Sequence, residues 1–142
     1  MTEYHTGTRI AAPPERVWAV LTDGAAYSKW NPEIVGIDGV IATNARITAH
    51  VRLGSGAVRR VPQRIGVLEA PRRMEWIGGL PFGLFVGRRI FTVTPTAEGT
   101  DFQIHLQMTG PLAGWILKSV GDRQPEIDQF AQSLKERAER QA

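Results

Sequence analysis

Apolar positions along the chain change their spacing three times, and each change predicts a change of element. Residues 3–11 mix polar and apolar positions as a short strand does. Pro13-Pro14-Glu15 then opens a helix, because proline is tolerated in a first turn and glutamate suits its positive end. Val17, Trp18, Val20 and Leu21 give that helix a buried stripe, and Asp23-Gly24 predicts its end, with Gly24 as a left-handed cap. A second short helical turn, 25–30, must stop ahead of Asn31-Pro32, since the residue before proline avoids helical angles.

From residue 33 to 109 the period is two. Residues 33–37 form a short strand before an Asp38-Gly39 turn. Ile47, Ala49, Val51 and Leu53 alternate with Arg46, Thr48, His50 and Arg52, the pattern of a half-buried strand. Gly54-Ser55-Gly56 predicts a hairpin loop, and 57–68 a further strand in which Pro62 implies an edge position or a bulge. Pro71-Arg72-Arg73 turns into a strand over 74–77, and 78–85 predicts a loop rich in large apolar residues. A last hairpin joins 87–95 to 100–108. In its second strand Phe102, Ile104, Leu106 and Met108 share one face, while Asp101, Gln103, His105 and Gln107 share the other.

After Gly110-Pro111 helical spacing returns. Leu112, Trp115, Ile116, Val120, Ile127, Phe130, Ala131, Leu134 and Ala138 make one apolar stripe, with a kink expected near Gly121 because Pro125 lacks a donor and clashes with the preceding turn. The order of strand, two short helices, about six strands and a long helix predicts a single α+β domain over 1–142. In it a curved antiparallel sheet of about seven strands packs on the C-terminal helix.

Composition narrows the chemistry. The chain contains no cysteine, which removes disulfides, thiolate metal sites and a cysteine nucleophile. His5, His50 and His105 match no metal-ligand spacing, so no metal site is expected, and no motif for a cofactor is present. The formal charge of +3 comes with fourteen Arg against three Lys, many in the doublets Arg59-Arg60, Arg72-Arg73 and Arg88-Arg89. Neighbours in a strand point to opposite faces, so these doublets are expected to be mostly solvated, and nucleic acid is disfavoured as a partner. No apolar run reaches the roughly 20 residues of a transmembrane helix, and the N-terminus does not resemble a signal peptide, so a cytoplasmic location is expected.

Four segments resemble the START-related superfamily, also called SRPBCC, which includes polyketide cyclase/dehydrase-like and birch-pollen-allergen-like proteins. Residues 10–23 resemble its first strand and helix, and Tyr27-Ser28-Lys29-Trp30-Asn31-Pro32 its aromatic-then-proline corner. Pro71-Arg72-Arg73-Met74-Glu75-Trp76 is similar to its proline, basic pair and Trp strand, and residues 94–100 to its final hairpin. The resemblance implies a helix-grip fold with an internal pocket, and no particular reaction.

A curved sheet and one helix cannot close over their whole length, so an apolar cavity is expected between them. Strand parity offers Val51, Met74, Trp76, Phe102, Ile104, Leu106 and Met108 as its lining. Trp115, Ile116 and Ser119 are candidates from the helix, and Trp30, Phe82 and Phe85 from the loops. Asn31, at the corner that resembles the family's pocket entrance, is a candidate donor to a ligand carbonyl. The loop 80–86 reads as a lid, a partner contact or core. No catalytic residue can be assigned: His50, His105 and Glu75 are all expected to point outward. Three readings follow. The first is binding, with or without transport, of a small hydrophobic or aromatic ligand such as a lipid or polyketide. The second is a polyketide cyclase/dehydratase-type enzyme using the same cavity, and the third a macromolecular adaptor. A homodimer stays open.

Overall fold

The period-two stretch resolves into six antiparallel strands, to which the N-terminal strand adds a seventh. In the computed structural model, which describes residues 2–140, the order is β1 (Thr2–Ile10), α1 (Pro14–Thr22), a 3-10 turn (Gly24–Lys29), β2 (Ile34–Asp38), β3 (Arg46–Arg52), β4 (Val58–Glu69), β5 (Arg73–Leu80), β6 (Phe85–Thr96), β7 (Gly99–Thr109), α2 (Ala113–Val120) and α3 (Gln124–Arg140). The strands lie side by side as β1-β7-β6-β5-β4-β3-β2. β1 therefore pairs with the last strand, Thr2 opposite Met108 and Ile10 opposite Thr100. The result is the expected helix-grip architecture, a curled antiparallel half-barrel holding the C-terminal helix.

Alternation selects the concave face. Ile47, Ala49 and Val51 from β3, Met74 and Trp76 from β5, Phe91 and Val93 from β6, and Phe102 and Ile104 from β7 are all buried. α3 lays Phe130, Ala131, Leu134 and Ala138 on them and Ile127 on Leu106 and Met108, and α1 adds Val17, Trp18, Val20 and Leu21. Each fully buried large side chain contributes about 1.5–3 kcal/mol of transfer free energy, so this layer holds the elements in place.

Four local expectations need correction. Gly24 does not adopt a left-handed cap; it is buried, and a Cβ there would stand 3.3 Å from Ile37 Cγ2, so close packing with β2 selects glycine. The segment 78–85 is half strand: β5 runs on to Leu80 and β6 starts at Phe85, which leaves the expected loop only as a tight turn over 81–84. Gly79, at φ 143°, allows this, since a Cβ would collide with the carbonyl oxygen of Phe85 at 2.1 Å. β4 is an interior strand, and its bulge falls between Ile65 and Leu68, not at Pro62. Ile65 N–H bonds Ala45 O at 2.8 Å, so by alternation the nitrogen of residue 62 faces β5, and the β5 ladder has already ended at Arg64. The absent N–H costs no pair. Finally, the C-terminal helix is not one kinked rod but two helices, broken at Gly121 with φ 80°.

Candidate functional site

That break decides where the interior is solid and where it is hollow. Under α3 the aromatic side chains meet ring to ring, with Phe130 5.5 Å from Phe91 and 6.0 Å from Tyr27, and Trp76 5.0 Å from Phe91. Under α2, of which only Ala113 is buried, the sheet is left uncovered. A cavity of about 290 Å³, partly open to solvent, lies there. That is at the small end of the roughly 300–1,000 Å³ usual for small-molecule sites.

Its walls are mainly apolar: Val51 and Leu53 near β3, Val61 and Pro62 on β4, Leu80 on β5, Phe85 on β6, Leu106 and Met108 on β7, and Ile116 and Val120 on α2. Of the fourteen residues the sequence singled out, Val51, Phe85, Leu106, Met108 and Ile116 line this space. Met74, Trp76, Phe102 and Ile104 share the inward face but lie fully buried beneath α3. Parity placed them inward without telling core from cavity. Trp76 Nε1 has no hydrogen-bond partner there. Trp30 packs on Phe130 at 5.7 Å and borders a separate pocket beside α1. Phe82 is 97% exposed at the β5–β6 turn, and Trp115 is 68% exposed on α2; neither lines the cavity. Ser119 is exposed and accepts a hydrogen bond from Arg59 Nη2 at 2.9 Å.

The ionisable groups were not anticipated. Glu33, one residue ahead of β2, is buried and binds Arg89 through two hydrogen bonds of 2.7 Å, Nη1 to Oε1 and Nη2 to Oε2. Arg123 Nη2 donates to Oε2 at 2.7 Å. Both arginines line the cavity and are buried. Asn31 is the splint of this triad: its Oδ1 accepts from the backbone N–H of Glu33 and of Ile34, at 2.9 Å each. It does not line the cavity, so the expected ligand donor is a positioning residue instead. The expectation that the arginine doublets are solvated fails for one member of one doublet. Arg88 faces outward to Glu75, 3.4 Å away, while Arg89 falls in step with Phe91 and Val93 and must point inward. That parity was available in the sequence. Arg123 likewise sits four residues before Ile127, on the buried stripe of α3.

Burial by itself would raise the Glu33 carboxyl. The charge of Arg89 and its hydrogen bonds, with Arg123 behind them, outweigh burial and hold the group below the usual carboxylate range. Burial would also lower Arg89, but Glu33 opposite keeps it raised. The phenol of Tyr27 is pushed up by burial, so it stays neutral and donates to Leu21 O. A carboxyl lowered by folding contributes stability that is complete above its unfolded pKa, about 4.3. That contribution is lost as pH falls through the folded value. Thermal melts from pH 7 to 3 are therefore expected to show acid destabilisation that is shallower in Glu33→Gln; equal slopes would rule Glu33 out as its source.

The groups considered for proton transfer lie elsewhere. His50 bonds Asp38 at 2.9 Å, His105 stands 3.4 Å from Glu3, and Glu75 is covered by Arg73 and Arg88, all away from the cavity. Among the described residues no group of three or more His, Asp or Glu is placed to hold a metal ion, and no helix is long and apolar enough to cross a membrane.

Comparison with known proteins shows what the chain is similar to. The family model described as polyketide cyclase / dehydrase and lipid transport matches residues 1–139. Similar solved structures include protein MLL2253 from Mesorhizobium loti, with TM-score 0.76 at 20% identity. A START superfamily protein from Mycobacterium smegmatis aligns with TM-score 0.75 at 18% identity, and protein TTHA0849 from Thermus thermophilus with 0.75 at 22%. In all three alignments 99% of this chain and 99% of the other are covered. At such identities the likeness establishes the fold. None of the curated protein sequences matches the chain.

Proposed function

The chain belongs to the polyketide cyclase/dehydrase and lipid transport family, and from that premise we propose that it binds a small hydrophobic or aromatic molecule in the cavity under α2. The observation that carries this is the cavity itself, about 290 Å³ with apolar walls, beside the aromatic layer packed ring to ring under α3. Val51, Phe85, Leu106, Met108 and Ile116 hold the ligand by burial, and α2 is the wall that moves to admit it. Gly121 supplies the hinge, and the light packing of α2 makes the motion cheap.

Binding is preferred to cyclase chemistry for a specific reason. General acid–base catalysis needs a group that titrates near the working pH within reach of the substrate. The ionisable residues lining the cavity are Arg59, Arg60, Arg89 and Arg123, and guanidinium holds its proton throughout the physiological range.

A panel of medium-chain lipids and fused-ring aromatic ketides tests the proposal by thermal shift. A ligand at 100 times its Kd adds about 2.7 kcal/mol, which raises Tm by about 5 °C or more in a chain of this size. Ile116→Trp, placed on a lightly packed helix, is expected to fill the cavity and weaken binding at least about tenfold with the fold intact. If no panel member shifts Tm and none co-purifies, the proposal is lost.

A further inference from the structure

The charges of the triad do not cancel. Glu33, held ionised, meets two guanidiniums, so one positive charge is left over in a buried setting. The ring of Phe130, centred 5.9 Å from Arg89 Cζ, offsets part of it. The hydrogen bonding does not close either. Both Glu33 oxygens are occupied, yet Arg123 Nη1 is buried and has no partner. Glu126, three residues on, forms no ion pair with either arginine among the described residues, and its own Oε2 is likewise buried without a hydrogen-bond partner; the exposed Arg59 and Arg60 at the cavity only add positive charge. A buried cationic donor without an acceptor is costly, and guanidinium is the side chain best matched to a carboxylate.

We propose, building on the cavity-binding function above, that this site selects acidic amphiphiles: molecules with one carboxylate and a compact apolar body. The carboxylate accepts from Arg123 Nη1 and neutralises the surplus charge of the triad, while the body lies along Val51, Leu106, Met108 and Ile116. A single charge is specified because the triad leaves over only one. A dianionic phosphomonoester would bring a second charge and more acceptor oxygens than the free donor can satisfy.

The test compares octanoate, 1-octanol and octylamine by calorimetry on the full chain. Octanoate is expected to bind about 10- to 100-fold tighter than octanol, the range for a hydrogen bond to a charged group, with octylamine weakest. Arg123→Gln leaves Glu33 paired to Arg89 and is expected to bring octanoate down to the level of octanol; Arg123→Lys restores part of the preference. Arg72→Gln, at an exposed position away from the cavity, keeps it. Equal binding of acid and alcohol by the unmodified chain overturns the head-group inference alone, and needs no variant to fold. A preference that survives Arg123→Gln, or that disappears in Arg72→Gln, overturns it too. If none of the three probes binds, the cavity function falls and this inference with it.

Discussion

Glu33→Gln is expected to lose about 3–5 kcal/mol of folding stability, because it removes the one negative charge between two buried guanidiniums while keeping the side chain's shape. Out of a total of about 5–15 kcal/mol for a domain, that is a large fraction. In a chain of this length it lowers Tm by about 10 °C or more. Glutamine keeps one acceptor oxygen, but its amide N–H groups then face a guanidinium donor in place of the second, and Asn31 continues to fix the backbone that presents it. The contrasting variant replaces the whole triad, Glu33→Leu with Arg89→Met and Arg123→Met. Apolar residues of similar volume often match or exceed a buried ion network in stability, so this triple variant is expected to melt near the unmodified chain while losing any preference for acidic ligands. Chemical denaturation of the three proteins decides it. A Glu33→Gln chain within about 1 kcal/mol of the original would mean that the arginines are not held buried and charged as described.

The outline of the fold was legible in the sequence because its elements have clean periods. β7 alternates without a break, and α3 repeats its apolar positions every three or four residues, so each announces its buried face. What a face is buried against is a different matter. Leu106 and Ile104 lie on one face of β7, yet one borders a cavity and the other is core, since the distinction depends on where the C-terminal helix breaks. The sequence signalled that break through Gly121 and Pro125, but only as a kink. A kink would have carried Trp115 along the stripe of α3. The complete break turns α2 separately, sets Ile116 and Val120 toward the sheet and leaves Trp115 in solvent. The triad was hidden for another reason. Its partners stand 56 and 90 residues apart, and pairing over such distances leaves no local pattern. Only the inward parity of Arg89 and the place of Arg123 four residues before Ile127 betrayed it.

Phe130→Ala should be the most damaging apolar truncation, with a loss of about 3–5 kcal/mol, the range for emptying a buried aromatic site. The ring is fully buried and sits at the centre of the packed half of the interior. Its centroid lies 5.5 Å from Phe91, 5.7 Å from Trp30, 6.0 Å from Tyr27 and 6.4 Å from Phe102. These neighbours come from the helical corner and two strands, and they cannot collapse together into the vacated space without breaking sheet register. Removing the ring also strips Arg89 of its aromatic face, so Phe130→Leu, which refills much of the volume but not the π surface, should recover only part of the loss. Phe82→Ser and Trp115→Ser are the controls. Both replace large aromatics, but at exposed positions, and both are expected to stay within about 0.5 kcal/mol of the original. Urea unfolding of the four variants measures the ranking. If Phe130→Ala costs no more than Trp115→Ser, then the interior under α3 is not the close-packed layer that confines the hollow to the space beneath α2, and the site must be sought elsewhere.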